Sequence, residues 1–312
     1  MPIFDDVRRV LFLHAHPDDE TLATGVLIAW LVDAGVDVAV VTATRGERGD
    51  VVDGPLRVLA GTDALVPLRE RELDGALTAL GVRTHAFLGT PPARAAGLPP
   101  RRYLDSGMRW VTPTLAGPAE SAGPDALTSA DVTEAAADLA AFVDSYAPDL
   151  LVTYDLAGGY GHPDHVACHH IGRSLNDARS PSEERSLSLT KGGPLSEGGR
   201  ESGRSWSEER SLSLTKGRPL SDDGRESERS LSLTKGRPVP PRLVEVVSEP
   251  LLAQATDAEL FDLTGYLETA KSALRCHASQ LTVDGDDVVH SGGQRQPIVT
   301  RLALRQATTV VE

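Results

Sequence analysis

Short apolar runs alternate with segments of helical periodicity along the first part of the chain. Val10 to Leu13 is a continuous apolar run, which is typical of a strand covered on both faces of a sheet. From Thr21 to Ala34 the apolar residues recur close to helical spacing, and Gly35 stands where such a helix would end. Val38 to Val41 is a second apolar run. Residues 8 to 45 therefore predict a parallel βαβ unit with a right-handed crossover.

The same alternation continues towards residue 154. It predicts helices at Pro67 to Leu80 and Ala130 to Ser145, and strands at His85 to Leu88 and Leu150 to Tyr154. Strands that alternate with helices indicate an α/β fold, here a Rossmann-like, mostly parallel sheet flanked by helices.

The composition changes abruptly near residue 180. The phrase Ser182 to Gly192 returns almost unchanged at Ser207 to Gly217, and a shorter third copy occupies Ser227 to Gly236. The spacing of the copies is too irregular for a solenoid. Because this stretch is rich in Gly, Pro, Ser and charged residues, a disordered insert is favoured over a protein-binding array. The predicted regions are a catalytic core (1–179), the repeat insert (180–241) and a C-terminal part that completes the same domain (242–312).

The C-terminal part carries weaker patterns. It predicts a strand at Leu243 to Val247 and a helix at Leu263 to Gln280. Short strands are expected at Val288-Val289, Ile298-Val299 and Leu302 to Leu304, as a small β/α extension of the core.

Composition narrows the function classes. Acidic residues outnumber basic ones by 45 to 31, for a net charge of −14, which disfavours nucleic-acid and membrane-surface partners. Cys168 and Cys276 are the only cysteines, so a disulfide scaffold is excluded and a reducing compartment fits. The apolar run at Val10 to Leu13 is too short for a signal peptide or a membrane span. A cytoplasmic protein is expected, and the sequence leaves its oligomeric state open.

Polar residues replace the expected glycines after the first predicted strand. Where a dinucleotide-binding protein carries a glycine-rich turn, this chain has His14-Ala-His16-Pro-Asp18-Asp19-Glu20. His16 and Asp19 are three residues apart and can converge on one cation across a tight turn. Because adjacent residues on a helical turn point about 100° apart, Asp18 and Asp19 do not both face that cation. One of them is then free to act as a base.

A second polar cluster follows the strand at Leu150 to Tyr154. The glycine-rich stretch after it leads into His162-Pro-Asp164-His165 and opens a helix. Taken alone, His-Pro-Asp also fits a solvated turn with a helix cap. Together the two clusters supply two histidines and one carboxylate, the protein ligands of catalytic zinc sites that keep a position open for water. The sequence therefore predicts a shared metal site.

These motifs resemble the signatures of the LmbE-like, or PIG-L, family of zinc-dependent de-N-acetylases. Leu13 to Glu20, Thr42 to Gly49 and Thr153 to His165 are most similar to its mycothiol branch. That branch contains a deacetylase of N-acetylglucosaminyl-inositol and an amidase of mycothiol conjugates. The resemblance implies one Zn²⁺ per subunit, a small amino-sugar substrate and hydrolysis of its acetamide. The deacetylase is the first expectation, and the amidase or another sugar de-N-acetylase is the alternative.

The resemblance also implies roles for individual residues. His16, Asp19 and His165 match the zinc ligands, and Asp18 matches the general base. Each of three further residues matches a supporting group: His162 the protonated partner of the tetrahedral intermediate, Tyr160 the tyrosine at the oxyanion, and Asp164 the residue that orients His162.

Two positions further along match substrate contacts of the deacetylase. Arg69 and Asp105 match positions that contact the sugar and the inositol. For Arg69 the alternative is an exposed ion pair with Glu72, three residues further along a helix.

A function of another class, a non-catalytic metal-dependent sugar-binding module, would not require Asp18 beside Asp19. The chain contains no Gly-x-Ser-x-Gly motif, so it offers no nucleophile of the serine-hydrolase type.

Overall fold

The computed structural model describes residues 2–112, 114–120, 122–179 and 240–307. In these ranges the strands are β1 (Arg9–His14), β2 (Asp37–Thr42), β3 (Thr84–Phe87), β4 (Met108–Thr112), β5 (Leu115–Pro118), β6 (Leu150–Tyr154), β7 (Arg242–Val246), β8 (Glu259–Asp262), β9 (Leu281–Asp284), β10 (Asp287–His290), β11 (Arg295–Pro297) and β12 (Arg301–Gln306). The helices are α1 (Asp19–Asp33), α2 (Leu65–Leu80), α3 (Val132–Tyr146), α4 (Gly158–Gly161), α5 (Pro163–Arg179), α6 (Glu249–Leu252) and α7 (Leu267–Leu274). The predicted repeat insert lies outside the described residues, apart from its last two.

A seven-stranded sheet runs through the described chain in the order β3-β2-β1-β6-β7-β12-β8. All neighbours from β3 to β7 pair in parallel, and β12 pairs antiparallel with β7 and β8. This confirms the predicted α/β class with a mostly parallel sheet. Strands β7, β8 and β12 belong to the described range 240–307, and they join the sheet through the β6–β7 ladder. Two small antiparallel sheets, β4–β5 and β9–β10–β11, stand apart from it.

Strand β1 is buried on both faces of the sheet, as its continuous apolar run predicts. Val10 and Phe12 belong to one apolar cluster, and Leu11 and Leu13 belong to the other. Residues of α1, α2 and α7 fill the first cluster, and residues of α3 and α5 fill the second. Since alternate residues of a strand point to opposite faces, the sheet separates two layers of helices.

The strand order reverses direction between β1 and β6. From β1 the chain crosses to β2 on one side, whereas β6 pairs on the other side of β1. In open α/β sheets such a reversal leaves a crevice beyond the carboxyl ends of the two strands, where ligands bind. Both predicted His and Asp clusters leave the sheet at this crevice.

Two predictions for the C-terminal part were wrong. The predicted helix from Leu263 to Gln280 is helical only in α7, after a 3-10 turn at Thr264–Tyr266. Beyond α7 the chain turns. There the side chain of His277 forms a hydrogen bond with Glu20, and the hydroxyl of Ser279 donates to Glu72. The predicted strand at Ile298-Val299 lies between β11 and β12, where the backbone N–H of Ile298 donates to the carbonyl of Asp286.

Candidate active site

The turn between β1 and α1 is held in an unusual backbone conformation. Asp18 has φ of 108°, in the left-handed region that residues with a side chain avoid at a cost of about 1–3 kcal/mol. Its carbonyl accepts hydrogen bonds from the N–H groups of Thr21 (3.0 Å) and Leu22 (2.8 Å), and so opens the first turn of α1. The N–H of Asp18 donates to Glu20 Oε2 at 3.0 Å. These hydrogen bonds hold the backbone of Asp18, the residue that the family resemblance implies as general base.

Asp19 connects the two histidines that the sequence predicts as its fellow ligands. Its Oδ2 lies 3.1 Å from His16 Nδ1, and its Oδ1 lies 3.2 Å from His165 Nε2. The backbone N–H of His16 also donates to Asp19 Oδ2, at 2.9 Å. The fold therefore brings together one residue from each motif around the Asp19 carboxylate.

The cluster fits a zinc ion by its chemistry, because imidazole nitrogens and carboxylate oxygens are zinc ligands. The two contacts at Asp19 use different oxygens, Oδ2 towards His16 and Oδ1 towards His165. His165 Nε2 is buried without a hydrogen-bond partner, although it lies beside Asp19. A buried nitrogen in that state is open to a metal. His162 also offers a ring nitrogen within 4.8 Å of those of His16 and His165.

His162 is held as a neutral imidazole. Burial and the neighbouring His16 and His165 lower its pKa well below its usual value. Its Nδ1 accepts the backbone N–H of Asp164 at 3.2 Å, so the remaining proton belongs on Nε2. The family resemblance implies a protonated His162, and this low pKa belongs to the metal-free cluster. The backbone of Asp164 orients His162, whereas its carboxylate faces elsewhere.

The carboxylate of Asp164 contacts His16 and a serine that the sequence analysis missed. Asp164 Oδ2 lies 3.1 Å from His16 Nε2 and accepts the backbone N–H of Ser106 at 2.9 Å. The Ser106 hydroxyl donates to Asp164 Oδ1 and accepts from Thr128. Asp105 lies 3.8 Å from His16 Nε2 through its Oδ1. Asp105 is implied by the family resemblance, whereas no periodicity marks Ser106, and only its proximity in space shows its contact with the site.

The two remaining predicted residues differ in exposure. Tyr160 is 40% exposed at the rim of the cluster, and its ring centroid lies 5.4 Å from that of His165. Arg69 is buried rather than exposed, and its guanidinium donates to backbone carbonyls within residues 46–50, including that of Asp50 at 2.9 Å. Glu72, its alternative partner in the sequence, accepts from Ser279 instead. Arg69 thus stabilises the loop that follows β2.

A buried ion pair lies behind the turn at Asp18. His277 Nε2 is 2.8 Å from Glu20 Oε1, and both side chains are fully buried. Burial opposes both charges, yet His277 holds the pKa of Glu20 below its usual value and Glu20 raises that of His277. Since Glu20 also accepts the N–H of Asp18, the C-terminal part contributes to the shape of this turn. A single histidine in a loop gives no pattern from which this role could be predicted.

In the metal-free cluster the pKa values of Asp18 and His16 are both raised. Burial and the adjacent Asp19 carboxylate raise the pKa of Asp18 to about 8. Burial works against a charge on His16, but Asp105, Asp164 and Asp19 outweigh it and raise the pKa of His16 well above its usual value. A metal ligates only unprotonated His16, and its positive charge favours ionised Asp18.

Metal binding at pH 7 is therefore expected to release protons, and the metal affinity is expected to fall as the pH drops below about 8. Calorimetric titration of the metal-free protein with ZnCl₂, in two buffers of different ionisation enthalpy, measures the number released. The same titration of Asp18→Asn at pH 7 is the control, because that variant has no Asp18 proton to release and should release fewer protons than wild type. Zero release, or proton uptake, at pH 7 would contradict this assignment of charges.

Comparison with known proteins shows the family of the chain. The family model PIG-L, described as GlcNAc-PI de-N-acetylase, matches residues 11–176. A protein of Actinosynnema mirum named 1D-myo-inositol 2-acetamido-2-deoxy-alpha-D-glucopyranoside deacetylase is 33% identical over 298 residues, covering 93% of this chain and 89% of the relative. A protein of the same name from Kineococcus radiotolerans is 45% identical over 165 residues, which is 53% of this chain and 44% of that relative.

The alignment with the Kineococcus protein thus covers less than half of that relative's length. Among solved structures, the N,N'-diacetylchitobiose deacetylase from Pyrococcus horikoshii has the same fold, with a TM-score of 0.50 and 19% identity. The match covers 88% of this chain and 71% of that one. The match over both motifs and the near full-length relative lead to one conclusion: the chain belongs to the PIG-L family, whose model is described as GlcNAc-PI de-N-acetylase.

Proposed function

We propose that the protein is a zinc-dependent hydrolase that removes acetate from 1D-myo-inositol 2-acetamido-2-deoxy-alpha-D-glucopyranoside. The observation that carries the proposal is Asp18, held by its backbone next to a cluster of His and Asp side chains at the β1/β6 crevice. The name shared by the Actinosynnema and Kineococcus relatives supports this substrate.

His16, Asp19 and His165 would hold the metal. A zinc ion held there would supply a lower pKa for water, towards about 7, and polarisation of the amide carbonyl. Asp18 accepts the proton of the attacking water on its carboxylate and delivers it to the nitrogen of the departing amine. The positive charge of a metal beside Asp18 would favour its ionised form, which is the form that accepts a proton.

His162 and Tyr160 stabilise negative charge on the carbonyl oxygen. His162 carries its proton on Nε2, which leaves a donor for the oxyanion. Desolvation and the carboxylates of Asp19 and Asp18 raise the pKa of Tyr160, so that its hydroxyl stays protonated and can donate as well. Fixed donors aimed at a developing oxyanion are a large source of rate enhancement. Asp164 and Ser106 keep the ring of His16 in place.

The zinc-loaded protein is expected to release free amine from N-acetylglucosaminyl-inositol, as measured with an amine-reactive fluorophore. The metal-free protein is the control, and activity should return when ZnCl₂ is added back. Turnover of a mycothiol conjugate without turnover of this substrate would favour the amidase. Zinc binding without turnover of either would favour a sugar-binding module.

Zinc is proposed from the donor set of the cluster, and a cytoplasmic location is proposed from the two cysteines. Zinc is proposed over other divalent ions because the donor set is two imidazoles and one carboxylate. A reducing compartment, the cytoplasm, is proposed because the two cysteines are unpaired. In the described part of the chain, none of the helices has the length and apolar character needed to cross a membrane.

A further inference from the structure

An exposed aromatic side chain lies beside the proposed catalytic residues. Trp110, on β4, is 45% exposed, and its ring stacks on that of Tyr160 with the centroids 5.6 Å apart. Tyr160 in turn lies 5.4 Å from His165 and 5.9 Å from His162, measured between ring centroids. One aromatic ring therefore separates Trp110 from the His and Asp cluster.

The hairpin that carries Trp110 is fixed to the site at two points. Strand β4 begins two residues after Ser106, whose N–H donates to Asp164. At the other point Gly161 has φ of 87°, and a Cβ there would lie 2.8 Å from Leu115 Cδ1 and 2.9 Å from the carbonyl oxygen of Ala116. The end of α4 therefore packs directly on β5. The position of the hairpin relative to the cluster is set by these contacts.

Trp110 and Tyr160 form a small apolar surface, which we call the hairpin ledge. Tyr160 is 40% exposed and Trp110 is 45% exposed. Exposed apolar surfaces of this kind mark binding sites when they border a cleft. The ledge is far smaller than the roughly 800 Å² per partner of a standard protein interface, so it fits a small ligand rather than another chain.

A ring with hydroxyl groups at its edge and C–H groups on its face matches this surface. The indole offers a flat apolar face to the C–H groups, and the open side of the ledge leaves the hydroxyl groups in water. A ring joined to an acetamido sugar by one glycosidic bond extends one ring beyond the reacting acetamide. Trp110 likewise lies one aromatic ring beyond His165, because Tyr160 stands between them.

We propose that Trp110 stacks on the second ring of the substrate, a sugar or cyclitol linked to the acetamido sugar, and thereby selects two-ring over one-ring substrates. The inference rests on the proposed function for the position of the first ring. Trp110 makes no contact with the reacting amide in this arrangement. Its substitution should therefore change substrate preference and not metal content.

The test compares Trp110→Ala, Trp110→Phe and wild type, all loaded with zinc. Calorimetry measures the dissociation constants of glucosaminyl-inositol and of glucosamine, and kinetics give kcat and KM for their N-acetylated forms. Trp110→Ala is expected to weaken binding of the two-ring ligand about tenfold, in the range of an aromatic contact residue. It should raise KM for the two-ring substrate by a similar factor, with kcat kept. The one-ring ligand should be unaffected, and Trp110→Phe should recover most of the affinity.

Leu260→Ala is the matched control, because Leu260 is an apolar side chain that is 78% exposed on β8, away from the crevice. Equal losses for both ligands in Trp110→Ala would overturn the inference, since they would indicate an indirect effect through Tyr160. Unchanged affinity for the two-ring ligand would also overturn it. If wild type binds the two-ring ligand through Trp110 yet never deacetylates it, the inference stands and the proposed function fails.

Discussion

Replacing Asp18 by asparagine is expected to lower kcat by about 10²–10⁴-fold, the usual contribution of a positioned general base. The amide of asparagine preserves the size of the side chain but does not accept a proton from water. Because His16, Asp19 and His165 are untouched, zinc content should stay at the wild-type stoichiometry. Amine release under saturating substrate gives kcat, and metal analysis of the purified variant gives the zinc content.

Asp53→Asn provides the matched control, since the side chain of Asp53 is 96% exposed. It should leave both kcat and zinc content unchanged. Loss of zinc together with activity in Asp18→Asn would show that Asp18 is a ligand and that the two aspartates have other roles. Wild-type turnover in the variant would assign the base to another group.

Replacing His277 by leucine is expected to lower the free energy of unfolding by about 3–5 kcal/mol, because it leaves Glu20 buried and without its charged partner. Urea titration of the metal-free protein measures the change. Kinetics of the zinc-loaded variant should also show a lower kcat, since Glu20 accepts the N–H of Asp18 and helps to fix its backbone.

Two further variants separate the ion pair from simple loss of a histidine. His277→Gln retains a donor towards Glu20 and should recover part of the stability and most of kcat. His290→Leu, at a half-buried histidine on β10, should change neither by a comparable amount. A His277→Leu protein as stable and as active as wild type would show that Glu20 is uncharged in the folded state.

The parts of the fold that follow from the sequence are those whose apolar pattern repeats over many residues. The βαβ unit, α2, α3 and β6 each lie within a few residues of their predicted bounds, because their core positions carry enough apolar side chains to define a period. The helix predicted to Gln280 failed at its end. There the pattern remains compatible with a helix, but Glu20 and Glu72 bind the side chains beyond α7.

The residues of the candidate site also fall into a group that the sequence predicts and a group that it does not. His16, Asp19, His162 and His165 were predictable because each motif is contiguous and follows a strand of one parallel sheet, whose carboxyl ends meet. Ser106, His277 and Trp110 lie in loops or a short hairpin and reach the site only through tertiary contacts. Their residue types are common at surfaces and caps. Nothing local distinguishes them from residues without such a role.

The left-handed backbone of Asp18 lowers the stability of the fold at the position where the proposed mechanism needs an aspartate. At φ of 108° a glycine would relieve the left-handed strain, so selection for a durable fold alone would favour glycine at this position. The role of general base that we propose for Asp18 needs a carboxylate at this strained position. An Asp18→Gly protein should thus be inactive and yet more resistant to heat than its parent. If so, the turn after β1 is less stable than it would be with glycine, and the proposed activity is the reason.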